Sequence, residues 1–392
     1  MSIDEAAKRA DLRPDQISAW ETGEDRLSIP QLRRLARVYR RPLAAFHLPE
    51  PPEEPPLIHD FRRATDRIGR RDSPELRFEV RRARCRREIA LELYERLAMR
   101  PPDFRDTASL DEDPEALGAR VRQILGIAED VHKRWRSEYD ALSAWRELLH
   151  SAGVLVFQAF EMPRKEVRAF SVSEYPLPAI VLNNKDAPQG RIFSLLHEFV
   201  HLLLRQGGIC DLEEEGRHGH QDQAIESFCN HVAGAALLPK EFVLRDEVVL
   251  RHGDSAKWSD QEINKLAGEY RVSRDVVVRR LLILGRTNQR FYQDKQHEYE
   301  AQYEAKRIKD KDDRSALRER LVEQGESPGF QSPSRTVVLG AGRLFVGLVL
   351  ESLCRESITL SDVCDYLGTR LKHLHKIENE LLRQVAGGAS ER

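Results

Sequence analysis

Two histidines and a glutamate interrupt an otherwise apolar run. Residues 192–204 read Ile-Phe-Ser-Leu-Leu-His-Glu-Phe-Val-His-Leu-Leu-Leu. Such a run folds as a helix buried on most sides, and it accepts ionisable groups only if they are paired or bind a metal. Asp186 and Pro188 lie just upstream and supply a helix start signal. His197 and His201 are then one turn apart, so both imidazoles project from the same face. Two such nitrogens can grip one zinc ion, and Glu198 between them is placed to work on a water at that ion.

A hydrolytic zinc centre needs three protein ligands and one open position. A polar stretch follows at 205–223, and a second helix then begins. Its apolar positions, Ile225, Phe228, Val232, Ala235 and Ala236, repeat with a period near 3.6. Glu226 stands at the edge of that stripe, where an unpaired carboxylate would be costly, and is expected to be the third ligand. Asn230, one turn on, is placed to steady a ligand by a hydrogen bond. Cys229 would also bind zinc, although its place in an apolar helix favours packing. His218 and His220 fall in a glycine-containing loop and read as solvated. His231 stays open between a core histidine, a substrate contact and a transition-state donor.

The stretches Phe193-Ser-Leu-Leu-His-Glu-Phe-Val-His-Leu-Leu-Leu204 and Glu226-Ser-Phe-Cys-Asn-His-Val-Ala-Gly-Ala-Ala-Leu-Leu-Pro239 resemble the ImmA/IrrE family of metallopeptidases. Upstream, Gly153-Val-Leu-Val-Phe157, Ala169-Phe-Ser-Val172 and Ala179-Ile-Val-Leu-Asn-Asn184 look like that family's small sheet. Downstream, the segment from Leu266 to Leu282 looks like its helical hairpin. The likeness covers about residues 130 to 290. It implies a zinc-dependent, gluzincin-like endopeptidase of the bacterial cytoplasm, with one zinc ion on His197, His201 and Glu226 and with Glu198 as the base. It also implies a protein substrate, such as a helix-turn-helix repressor, in a stress-response, mobile-element or toxin–antitoxin setting.

The formal net charge is only −2, so no global field for nucleic acid exists, while charged residues at 33% point to exposed helices. The five cysteines are scattered without a disulfide ladder or a Cys-x-x-Cys pair, which fits a reducing compartment. No apolar segment follows Met1 and no run reaches membrane length, so a cytoplasmic protein without a membrane span is expected.

The expected fold is α+β and mostly helical, with a three-stranded sheet (154–160, 167–172 and 179–182) packed on the active-site helix. Residues 1–48 read as a repressor-type helix-turn-helix lacking its first helix. Arg13, Gln16 and Ser18 would then face a DNA major groove. A small helical module that docks on protein fits the same residues. A proline-rich and then arginine-rich linker is expected at 49–73, and a helical connector at 74–128. The arginine run at 62–87 suits a phosphate-binding face or, in the plainer case, a solvated helix over 74–99. The peptidase domain is expected at 129–290. A charged helical arm and loop would follow at 291–335, and a helical unit at 336–392. Two other functions share these features: a DNA-binding regulator with a structural or sensory metal, and an antitoxin-like partner protein.

Overall fold

The computed structural model describes the chain except for residues 51–72, 129–130, 165, 206–217, 324–331 and 390–392. Most of the expected linker and of the polar loop therefore lies outside the described residues. So do Cys210 and the side chains of His218 and His220.

The chain is α+β and mostly helical. It opens with α1 (Ile3–Ala10), α2 (Pro14–Glu21) and α3 (Ile29–Val38), followed by a 3-10 turn at Leu43–His47. Then come α4 (Pro74–Arg96), α5 (Pro114–Ile124) and α6 (Glu138–Ser151). Three strands follow, β1 (Leu155–Ala159), β2 (Ala169–Val172) and β3 (Ala179–Asn183). The two long helices that matter most are α7 (Pro188–Leu203) and α8 (His218–Leu237). Beyond them are α9 (Lys240–Arg245), α10 (Glu247–His252), α11 (Asp260–Tyr270), α12 (Arg274–Ile283) and α13 (Gln289–Glu323). The chain closes with α14 (Pro333–Ala341), α15 (Arg343–Cys354), α16 (Leu360–Leu367) and α17 (Leu374–Ala389). Helices α4, α5, α7 and α14 each open on proline, whose fixed φ suits the first helical position and whose missing N–H is not needed there.

The strand order is β1-β3-β2, with β1 parallel and β2 antiparallel to β3. Alternation along the strands splits their side chains between two cores. Val156, Ala169, Ile180 and Leu182 join the core built on α5, α6, α7, α8, α11 and α12. Phe157, Phe170, Val172 and Val181 join a second core, made with α4 and α14 to α17. The sheet is thus the middle layer, covered on both faces.

The solvated helix expected at 74–99 is instead a central element. Leu76, Val80, Ala83, Ala90, Leu93 and Tyr94 of α4 are buried, and so are Arg84, Arg86 and Arg87. Arg87 lies in the same heptad stripe as Val80 and Tyr94. Its guanidinium donates to the carbonyls of Pro176 and Leu177 and pairs with Glu174. Arg86 Nη1 donates to the Gly340 carbonyl at 2.9 Å, and burial pulls its pKa down to about 9. A guanidinium fork on a long apolar stem can be buried this way because it satisfies carbonyls that a helix or loop end leaves unpaired.

The helical unit expected at 336–392 is broken at two glycines. Helices α14 and α15 meet at 107°, hinged on Gly342 at φ 77°. A Cβ on Gly342 would stand 2.5 Å from the Val156 carbonyl oxygen, so only glycine lets this bend wrap β1. Gly368 at φ 61° makes the second break, separating α16 from a 3-10 turn at Leu371–His373 and α17. No single helix among the described residues is long and apolar enough to cross a membrane. The bent α14–α15 pair meets that composition, but its apolar residues fill the second core.

The N-terminal helices have a core of their own, made of Ala6, Ala7, Ala10, Ile17, Trp20 and Leu35. This module touches α4 through Arg9, whose guanidinium lies 2.6 Å from Glu75. Arg40 pairs with Glu161 in the β1–β2 connection. Arg13 and Ser18 stay exposed on α2 and Gln16 partly so.

Candidate metal centre

Helix α7 runs against the sheet, and α8 lies against α7. Helix α5 clamps α8 from behind, where a Cβ on Gly118 would meet the Ala235 Cβ at 2.5 Å. That close crossing of α5 and α8 is available only to small residues.

The consequence is a convergence of three lone-pair atoms. His201 Nε2 lies 3.0 Å from His197 Nε2 and 3.1 Å from Glu226 Oε1. His197 Nε2 is 3.3 Å from Glu226 Oε2. Tetrahedral zinc with bonds of about 2.0–2.1 Å holds its ligand atoms roughly 3.3–3.4 Å apart, so the trio fits such an ion with little adjustment. Among the described residues these three form the one group of histidine, cysteine or acidic side chains placed to hold a metal. His197 is fully buried, His201 is 4% exposed and Glu198 5%, while Glu226 is half-buried.

The electrostatics favour a cation there. Burial works to raise the Glu226 carboxyl pKa, but hydrogen bonds with His197 and His201 more than reverse it and hold the group below the usual carboxylate range. Burial disfavours a charged His201, yet hydrogen bonds with Cys229 and Glu226 outweigh it and raise the imidazole pKa to about 10.

The backs of both imidazoles are also held. His197 Nδ1 lies 3.1 Å from Asn230 Oδ1, so the Nδ1–H tautomer donates there and leaves the Nε2 lone pair on the inner side. His201 Nδ1 lies 3.7 Å from Cys229 Sγ, and Cys229 is fully buried. Cys229 therefore meets the far side of the ring rather than the Nε2 side.

Glu198 belongs to α7 but is not part of the trio. Ser171 on β2 donates its hydroxyl to Glu198 Oε2 at 2.9 Å, and both residues are buried. Ser171 is not among the site residues that the sequence motifs mark. The available signal was a hydroxyl on the strand face that otherwise carries Ala169 toward α7, between Phe170 and Val172 on the opposite face.

His231 goes elsewhere. Its Nε2 lies 2.7 Å from Glu115 Oε1 on α5, and Glu115 also takes both guanidinium nitrogens of the fully buried Arg280 on α12. Burial would raise the Glu115 carboxyl, but Arg280 and His231 overturn it and hold it at about 2. His231 thus links α8 to α5 and, through Glu115, to Arg280 on α12. The side chains of His218 and His220 are outside the described residues.

The radiation response metalloprotease IrrE of Deinococcus deserti is 32% identical over 80 residues, which cover 20% of this chain and 28% of that protein. The matched segment thus spans under a third of that relative's length. Residues 1–46 match the family model for a helix-turn-helix. Residues 151–282, which hold every residue of the trio together with Ser171, Glu198, Cys229 and Asn230, match the model for the IrrE N-terminal-like domain, a peptidase family. Residues 151–282 are thus similar to an IrrE-like peptidase domain, and residues 1–46 to a helix-turn-helix.

Proposed function

We propose that this protein is a zinc-dependent endopeptidase that cuts a regulatory protein, with a helix-turn-helix repressor as the substrate class. His197, His201 and Glu226 would hold one zinc ion in a gluzincin-like set, and Glu198 would be the general base. The observation that supports this is the separation of roles: three donor atoms converge, and a fourth buried group, Glu198, stands beside them with its own partner. A purely structural zinc centre has no use for that extra carboxylate.

Bound at the trio, zinc supplies Lewis acidity, acidifying a water toward a pKa of ~7 and polarising a carbonyl. Glu198 takes a proton at Oε1, the oxygen not bound by Ser171, and hands it to the leaving amine. Asn230 keeps the His197 ring in the tautomer that presents Nε2. Strand β2 is an edge of the sheet, and an extended substrate segment would add to it as a further strand. The domain 129–290 would carry the chemistry, and the module 1–48 would select the substrate or bind DNA. A bacterial cytoplasm, with a stress-response, mobile-element or toxin–antitoxin role, is the setting that accompanies this function.

The test pairs the zinc-loaded chain with purified helix-turn-helix repressors as substrates and follows cleavage by mass spectrometry. Glu198→Gln should retain zinc and lose cleavage. Equal cleavage by that variant would remove the mechanism. A second function rests on the helix-turn-helix match and the exposed Arg13 and Ser18: a DNA-binding regulator with a structural or sensory metal. A salt-dependent operator shift without proteolysis would favour it.

A further inference from the structure

We infer that Ser171 is the positioning residue for Glu198: its hydroxyl, delivered from β2, fixes the carboxylate of the α7 glutamate beside the His197–His201–Glu226 trio. This deepens the peptidase function and rests on it for the role of Glu198.

A glutamate side chain has three rotatable bonds, so its carboxylate wanders unless something holds it. The neighbours of Glu198 one turn away on α7 are Ser194, Leu195, His201 and Leu202, all on the same helix, and Ser171 adds a donor from a different element. Ser171 is the reverse case. It has a single side-chain torsion, and its backbone is fixed in register opposite Ile180 of β3. Its strand is pinned between both cores, with Phe170 and Val172 anchored in the second and Ala169 in the first. The hydroxyl therefore approaches from a rigid element and donates to Oε2 at 2.9 Å, inside a region 3% exposed at Ser171 and 5% at Glu198. A charge-assisted hydrogen bond in such surroundings is strong and directional. Proton transfer depends steeply on such placement, and a displacement of about 1 Å can cost roughly a hundredfold in rate.

A strand position facing α7 needs only a small side chain for packing, and alanine would fill it. The hydroxyl is what packing does not require. Its removal should therefore act on Glu198 rather than on the fold.

The experiment uses the zinc-loaded full chain and acetohydroxamate, a small chelator that gives up its proton to a carboxylate next to the metal. Ser171→Ala should keep one zinc per chain and its melting midpoint, and should bind acetohydroxamate about tenfold more weakly by calorimetry. Ser171→Cys, close in size but a poor donor, should behave alike, and Ser171→Thr, which restores the hydroxyl on a β-compatible side chain, should recover the affinity. On a cleaved substrate, the alanine variant should lose kcat by about ten- to a hundredfold with KM unchanged. Wild-type affinity in zinc-replete Ser171→Ala and Ser171→Cys would overturn the inference. So would a loss of zinc or of folded protein in all three variants, which would mark a packing role. If wild type cleaves nothing while acetohydroxamate still depends on Ser171, the positioning role stands and the peptidase function falls.

Discussion

Asn230 Oδ1 lies 3.1 Å from His197 Nδ1, one helical turn beyond Glu226 on the same helix. A single face of α8 therefore offers both a carboxylate to the metal trio and an acceptor to one of its imidazoles. Replacing Asn230 by Ala frees the ring to rotate and to change tautomer. Zinc affinity should fall by about 10- to 100-fold, the usual effect of losing an outer partner of a ligand. Chelator competition on the purified variant measures it, and unchanged affinity would show that the α7 backbone alone holds the ring.

Glu226→Ala goes further, because it removes one of three converging atoms. Metal analysis after dialysis should show the variant with well under one zinc per chain. Its melting midpoint should no longer respond to added zinc, since a ligand stabilises only the state that binds it. A variant that still binds zinc stoichiometrically would redirect attention to other donors.

The Glu115–Arg280–His231 network is a stability element away from the trio. Arg280 is fully buried and bonded to both Glu115 oxygens, so Glu115→Ala leaves a buried cation uncompensated. A loss of ~3 kcal/mol is expected in urea unfolding at neutral pH. The pH dependence has a definite sign. The folded Glu115 carboxyl sits at about 2, below its ordinary value of 4.5, so its contribution is complete above about pH 4.5 and is lost as the pH falls toward 2. Wild type should therefore lose stability across that window more steeply than Glu115→Ala.

Gly342→Ala should destabilise the packing of the C-terminal helices against β1. The residue combines φ 77° with a Cβ position 2.5 Å from a backbone oxygen that cannot give way. Strain and overpacking together should cost about 3 kcal/mol. Limited proteolysis should then cut first at the α14–α15 hinge, and a variant as resistant as wild type would contradict the bend's role.

Much of this protein was legible in the chain because it depends on spacing within one element. His197 and His201 are four positions apart, and helix geometry alone places both rings on one face. The apolar stripe of α8 put Glu226 at its edge, and β-rich segments bounded by polar turns marked the three strands. The mostly helical α+β class followed from the same periods. What tertiary structure alone decided are meetings between elements with no fixed sequence distance. Ser171 reaches Glu198, Cys229 backs His201, and Glu115 takes His231 and Arg280 only because of how β2, α8 and α5 pack. The arginines of α4 illustrate the same limit. By composition they belong in water, and they are buried because carbonyls near Leu177 and Gly340 happen to need donors. Periodicity is a property of the local backbone, whereas hydrogen-bond satisfaction is settled only when distant segments close around one another.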